Sequence, residues 1–330
     1  MSTDRPGDGV WDTPFTRLVG CRLPLQEAVM GSDTGGALLA AAVTNAGGLG
    51  MLSESGVRPL GERLDWLEQH ADGPFGVGFF AFVVRSQLDE LERAAARARV
   101  IDLFWGTPDP ALVERIHTGG ALAFWQVGSV EEARQAADAG CDAVVAQGVE
   151  AGGHVRGTTP LLELVPEVAA AVAVPVVAAG GIATGAAMAA ALDAGAAAVR
   201  VGTRLLATEE SNAHPDYVAA LLAAGGDATV VTNAFAKDFA PDAPHRVLRT
   251  AVDAAHACAR QSSIAVRRYG EAHWDVPPLS AMAATAETSG HIEAMALYAG
   301  TGVADVTDAP AAAAVIERLC ADARIRLERQ

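Results

Sequence analysis

Eight short apolar segments lie between residues 23 and 205, each separated from the next by an Ala-rich amphipathic stretch. They fall at 23–30, 49–53, 76–83, 100–105, 121–127, 143–147, 175–179 and 198–201. Short, continuously apolar runs are what parallel strands buried on both faces look like. The stretches between them carry helix signals. Ser129 precedes Glu131 and Glu132, an N-cap followed by acidic first-turn residues, and Gly140 supplies a stop. Eight strand–helix alternations predict an α/β protein built on a (β/α)₈ TIM barrel. An open doubly wound sheet would place its Gly-rich phosphate turn after the first strand. Here the Gly-rich turns follow the sixth, seventh and eighth runs, so the barrel is the expected fold.

A weak internal similarity pairs Ala139-Gly140-Cys141-Asp142-Ala143-Val144 with Ala194-Gly195-Ala196-Ala197-Ala198-Val199. Repeated βα units and biased composition explain it equally well. After about residue 208 the pattern changes. Residues 1–212 are read as the barrel. A smaller helical insertion or lid is expected over 213–280, broken at Pro215, Pro241, Pro244, Pro277 and Pro278. Residues 281–330 are expected to return to the barrel through a closing helix at 309–328.

At 330 residues and 51% hydrophobic, the chain can fill one large core. Its net charge of −16 lacks the basic footprint of a nucleic-acid binder and would repel anionic membranes. Cys21, Cys141, Cys258 and Cys320 are far apart and predict no disulfide; Cys141 opens an apolar run and reads as a core thiol. No signal-peptide stretch and no run of about 18 apolar residues appears, so a cytoplasmic location is the expectation.

Barrel enzymes carry their sites on the loops at the C-terminal ends of the strands. Ala179-Gly180-Gly181-Ile182 and Val201-Gly202-Thr203-Arg204 follow the seventh and eighth runs. Glycine admits a ligand close to the main chain, and N–H groups at a helix start favour an anion. Thr203 adds a hydroxyl. Together the two loops predict a phosphate site rather than plain tight turns. The third loop, Gln147-Gly148-Val149-Glu150-Ala151-Gly152-Gly153-His154-Val155-Arg156-Gly157, follows the sixth run. His154 sits between flexible neighbours at the catalytic face and can exchange a proton near neutral pH, which predicts a catalytic histidine. Glu150 could orient the loop or be a solvated side chain. Arg156 could attract an anionic substrate or be surface charge.

These three loops resemble the nitronate monooxygenase family, formerly called 2-nitropropane dioxygenases. The match continues through residues 204–217 and includes Asn45-Ala46-Gly47-Gly48-Leu49-Gly50, with an echo at Tyr298-Ala299-Gly300-Thr301-Gly302. It covers roughly residues 20–220. The resemblance implies an FMN-dependent barrel with a helical domain and no metal. By position, Ala28, Val29 and Met30 would lie beside the flavin, and Gln126 and Gln147 would contact it. Gly152 and Gly153 would also bind the flavin, on the loop that would bring His154 to its reactive face. Ala179, Gly180, Gly181, Gly202 and Thr203 would hold the phosphate end. The implied reaction is oxidation of an alkyl nitronate by O₂, with a small anionic substrate and a homodimer as a possible assembly. The chain departs from the family pattern at Val29, where Pro is usual, at Gly78, where Asn is common, and at Thr301, where Gln is common. It also lacks a Gly-Arg-x-Ala-Arg stretch after Thr232-Asn233-Ala234-Phe235-Ala236-Lys237-Asp238. These departures fall on the substrate side. An FMN-dependent enoyl-thioester reductase using NAD(P)H shares the third loop and is the alternative activity. A non-catalytic flavin-binding barrel is the other.

Overall fold

The computed structural model describes residues 11–56, 58–235 and 243–329. The polar N-terminal stretch 1–10 and the Ala236-Lys237-Asp238 and Pro241 positions lie outside them.

The eight expected strands are present: β1 Leu25–Glu27, β2 Gly50–Ser53, β3 Phe75–Phe80, β4 Val100–Phe104, β5 Leu122–Val127, β6 Ala143–Gln147, β7 Val176–Ala179 and β8 Ala198–Val201. All pair in parallel, in the order β1-β8-β7-β6-β5-β4-β3-β2. A parallel bridge from Gln26 to Leu49 joins β1 to the start of β2 and closes the barrel. Beyond that bridge the two strands part. There the carboxylate of Glu27 takes the Met51 N–H at 3.0 Å, so a side chain completes the seam. Burial pushes the Glu27 carboxyl well above the usual range.

Helices cover the barrel in sequence. Ser129 caps Val130–Asp138 by accepting from Glu132 N at 3.2 Å, as its position predicted. The last helix, Ala312–Leu327, packs against Gly36–Ala46 and Gly185–Asp193 and so fills the place of the eighth barrel helix. The approach is close at Gly185, where a Cβ would fall 2.5 Å from that of Asp322.

The barrel core has two layers. Leu39, Leu64, Leu103 and Ile116 lie between strands and helices. Met51, Val100, Phe124, Val145 and Val177 fill the barrel interior. Helix Pro14–Val19 plugs the bottom, with the Phe15 ring 6.2 Å from that of Phe124.

Two expected strands are shorter than their apolar runs by more than one residue. The run at 23–30 ends its strand at Glu27, and Ser32 and Asp33 then take left-handed backbone at φ +59 and +65. The run at 76–83 leaves the sheet after Phe80 and turns into helix Ala81–Val84. An apolar run without period does not separate a strand from a buried helical turn.

The region expected to be helical holds helices Pro215–Leu222 and Arg249–Ala257, but it is not only helical. Thr229–Thr232, His245–Leu248 and the two-residue strand Gly153–His154 form one antiparallel sheet. Ala265–Tyr269, Ala272–Val276 and Thr288–Gly290 form another. The hairpin in the second turns at Gly270 with φ +56, a two-residue turn that its Gly-Glu sequence could have signalled.

Candidate active site

A cavity of about 660 Å³ opens at the C-terminal ends of the strands. That is the size range of small-molecule and cofactor sites, about 300–1,000 Å³. Ala28, Val29, Met30, Gln126, Gln147, Gly152, Gly153, His154, Ala179, Gly180, Gly181, Gly202 and Thr203 all line it.

At one end the wall is main chain. Gly180 and Gly181 take φ +124 and +70, conformations open to glycine. A Cβ on Gly181 would sit 3.0 Å from both Glu150 Cβ and Thr301 Oγ1. The Thr203 hydroxyl accepts from Gly300 N at 3.0 Å, which leaves its own proton to donate. Gly152 is fixed by a close approach, since a Cβ there would meet Gly300 N at 2.5 Å.

At the other end His154 stands among rings. The centroids of Phe80, Trp105, His245 and Tyr298 lie 5.8, 5.7, 5.6 and 5.9 Å away. Burial, with a smaller contribution from His245, brings its imidazole down to about 3, so it is neutral at ordinary pH. The loop is held from both sides. Gln147 donates from Nε2 to the His154 carbonyl at 2.8 Å and accepts from Arg156 N at 3.1 Å. On the far side His154 pairs with His245 across the antiparallel register. Gln147, expected at the flavin, thus lines the cavity while its amide clamps the loop that carries His154.

Glu150 and Arg156 settle into structural places. Both oxygens of Glu150 accept from Leu161 N, at 3.1 and 3.0 Å, at the start of helix Leu161–Ala171. Arg156 donates from Nε to Glu132 at 2.6 Å and lies over the Trp105 ring at 5.5 Å. It does not reach the cavity wall. Two departures from the family pattern turn out to be neighbours: a Cβ on Gly78 would fall 2.4 Å from Val29 Cγ2, so the Val29 side chain occupies that space.

Sequence reasoning missed several groups. His245 is fully buried. It accepts from Phe235 N at 3.2 Å through Nε2, and its Nδ1 lies 3.0 Å from the Ala243 carbonyl, which places the proton on Nδ1. Tyr298 lines the cavity and donates to the Ala281 carbonyl at 2.8 Å. Asp102 and Arg200 also line it, forming an ion pair inside the barrel. A charged residue within each of two buried strands was the available signal. Among the described residues no group of three or more His, Cys, Asp and Glu side chains could hold a metal ion. No helix among them is long and apolar enough to cross a membrane.

The nitronate monooxygenase family model matches residues 83–322. The chain belongs to the nitronate monooxygenase family. Its fold is the TIM barrel that the family resemblance implied. It is 37% identical over 242 residues to a Mycobacterium tuberculosis (3aS,4S,5R,7aS)-5-hydroxy-7a-methyl-1-oxo-octahydro-1H-indene-4-carboxyl-CoA dehydrogenase. That match takes in 72% of this chain but only 66% of the relative's own length. Among solved structures, FabK from Thermotoga maritima is 29% identical with a TM-score of 0.78, over 96% of this chain and 97% of the other. Nitroalkane oxidase from Streptomyces ansochromogenes is 28% identical with a TM-score of 0.72, over 96% and 100%.

Proposed function

We propose that this member of the nitronate monooxygenase family binds FMN in the barrel cavity and oxidises alkyl nitronates with O₂. The observation that carries the proposal is the two-ended cavity: a glycine cradle suited to an anion at one end and a neutral imidazole in an aromatic box at the other.

The residues fit the cofactor on two counts. The glycines of the loops at Gly180-Gly181 and Gly202-Thr203 sit tight against their neighbours, with a Cβ on Gly180 3.0 Å from Ala151 N and one on Gly202 3.2 Å from that of Ala28. Asp102 Oδ1 is buried and has no hydrogen-bond partner among the described residues. An unsatisfied buried acceptor costs about 1–3 kcal/mol or more, and a ring N–H or ribityl hydroxyl is the kind of donor that would satisfy it. Gly180, Gly181, Gly202 and Thr203 would hold the phosphate, with Ala28, Val29, Met30 and Gln126 along the rest. When bound, FMN supplies the two-electron redox centre between the substrate and O₂.

The chain's own part is binding and proton control. The aromatic walls exclude water around His154 and keep it uncharged, so it does not neutralise the site before substrate arrives. A nitronate entering the box brings a negative charge that favours protonation of the imidazole. His154 then holds the anion by a charge-assisted hydrogen bond. For a neutral nitroalkane, the uncharged imidazole of His154 would take the proton from the α-carbon as charge develops on the nitro group.

A second reading has one observation behind it, the relative named as a carboxyl-CoA dehydrogenase. A thioester substrate, with NAD(P)H as the electron donor in the enoyl-reductase version, would suit the same cavity. The two readings separate in an anaerobic mixing experiment. Flavin bleached by an alkyl nitronate without NAD(P)H supports the proposal. Flavin bleached by NAD(P)H and untouched by nitronates replaces it with the reductase.

A further inference from the structure

TIM-barrel interiors are ordinarily filled by branched aliphatic side chains. Below the cavity this barrel follows that pattern with Val100, Val145 and Val177. The layer directly under the cavity does not. Asp102 on β4, Gln126 on β5 and Arg200 on β8 project into it and line the cavity. In the closed strand order β4 and β8 are opposite one another. The Arg200 guanidinium therefore spans the barrel axis to reach the Asp102 carboxylate. It also donates to Gln126 Oε1 at 2.5 Å and to Gln26 Oε1 at 3.4 Å.

The two charged side chains are only 4% and 2% exposed. A buried ion pair gives little net stability, because desolvation offsets the attraction, and aliphatic residues of similar volume commonly serve as well. Stability alone does not explain the pair. Its position does: it is a fixed dipole at the floor of the proposed flavin site, held on four strands, with the second Asp102 oxygen still unmatched among the described residues.

We propose that the Asp102–Arg200 pair sets the reduction potential of the bound flavin, with Arg200 as the favouring cation and Asp102 as the group that positions and partly masks it. The proposal rests on the flavin reading above. A flavin that takes up two electrons and one proton gains a negative charge, and a cation fixed in a water-poor floor favours that charge more than it would in water. Without Arg200, burial leaves Asp102 in its neutral form, since desolvation already pushes its carboxyl up. Without Asp102, Arg200 faces the site unmasked.

The test is the midpoint potential of FMN-loaded protein for the wild type, Asp102→Asn, Arg200→Gln, Arg200→Lys and the Asp102→Asn/Arg200→Gln double variant. Asp102→Asn is expected to raise the potential and Arg200→Gln to lower it. Each should change the oxidised-to-reduced ratio at least tenfold, which is about 30 mV for a two-electron couple. Arg200→Lys keeps the charge and should stay near the wild type, and the double variant should match Arg200→Gln. Shifts in the same direction for Asp102→Asn and Arg200→Gln, or no shift in either at full flavin loading, overturn the proposal. If Arg200→Gln fails to fold, Asp102→Asn against Arg200→Lys decides: up against flat supports it, flat in both overturns it. A wild type that takes up no flavin overturns the flavin reading, and this proposal falls with it.

Discussion

At the β7–β8 end of the cavity the wall is main chain, contributed by loops some twenty residues apart and shaped by glycines at φ +124 and +70. At the His154 end the surroundings are side chains from five separate stretches, Phe80, Trp105, His154, His245 and Tyr298. The first end needs little beyond the right backbone at two adjacent strand ends. The second needs the barrel and the small sheet of Thr229–Thr232 and His245–Leu248 to meet, because His154 is itself a strand residue in that sheet. A backbone cradle suits a constant group such as a phosphate. A side-chain box can be re-lined without disturbing the cradle, but the family departures do not all fall on the box side: Val29 and Gly78 pack on one another, while Thr301 lies against Gly181 in the cradle itself.

The two ends of the cavity should separate most visibly at His154. His154→Ala is expected to lower turnover by about 10²–10⁴-fold, the range for loss of a proton-handling group, with flavin content unchanged. Loss of flavin together with turnover would mean that the two ends are not separable. The converse variant is Gly180→Val. Its φ of +124 is closed to side-chain-bearing residues and such strain costs about 1–3 kcal/mol, so FMN should bind about 10- to 100-fold more weakly. Flavin titration of the apoprotein measures it, and an unchanged affinity would remove the cradle from the account.

Gln147→Leu tests the clamp between the ends. It deletes the bonds to the His154 carbonyl and the Arg156 N–H, at about 1 kcal/mol each, so kcat should fall about tenfold while flavin affinity moves far less. A larger effect on flavin affinity than on kcat would return Gln147 to the role that its position in the sequence suggested.

The aromatic box also predicts a pH dependence. The His154 imidazole sits near 3 in the folded chain against an ordinary 6.5, so between those values the unfolded chain binds the extra proton. Its contribution to stability is whole above about pH 6.5 and is lost as pH falls toward 3. Urea unfolding at stepped pH should show a steeper acid loss for the wild type than for His154→Phe. The smallest effect is expected for Arg156→Gln. Its partners are Glu132 and the Trp105 face, so KM for an anionic substrate should change less than about threefold. A much larger rise in KM would put Arg156 in the substrate path.

The barrel was legible because every strand is buried on both faces and so appears as an apolar run. The glycine loops were legible because fold rules say where such loops must fall. The small sheets were not. Their strands are short and half-exposed, and Val230 and Val231 carry no clear alternation. His245 was hidden for the same reason, since nothing local marks a histidine whose two nitrogens are bound to Phe235 and Ala243. Asp102 and Arg200 are a different case. Both lay in runs read as apolar, and the charge inside each run was itself the sign of a paired polar layer.

The central claim is that the cavity is an FMN site, and the most direct measurement is the visible spectrum of the purified protein, followed by identification of whatever heat denaturation releases. The account predicts the absorption of a bound oxidised flavin and the release of about one FMN per chain. A colourless protein that takes up no FMN when supplied with it would contradict the account.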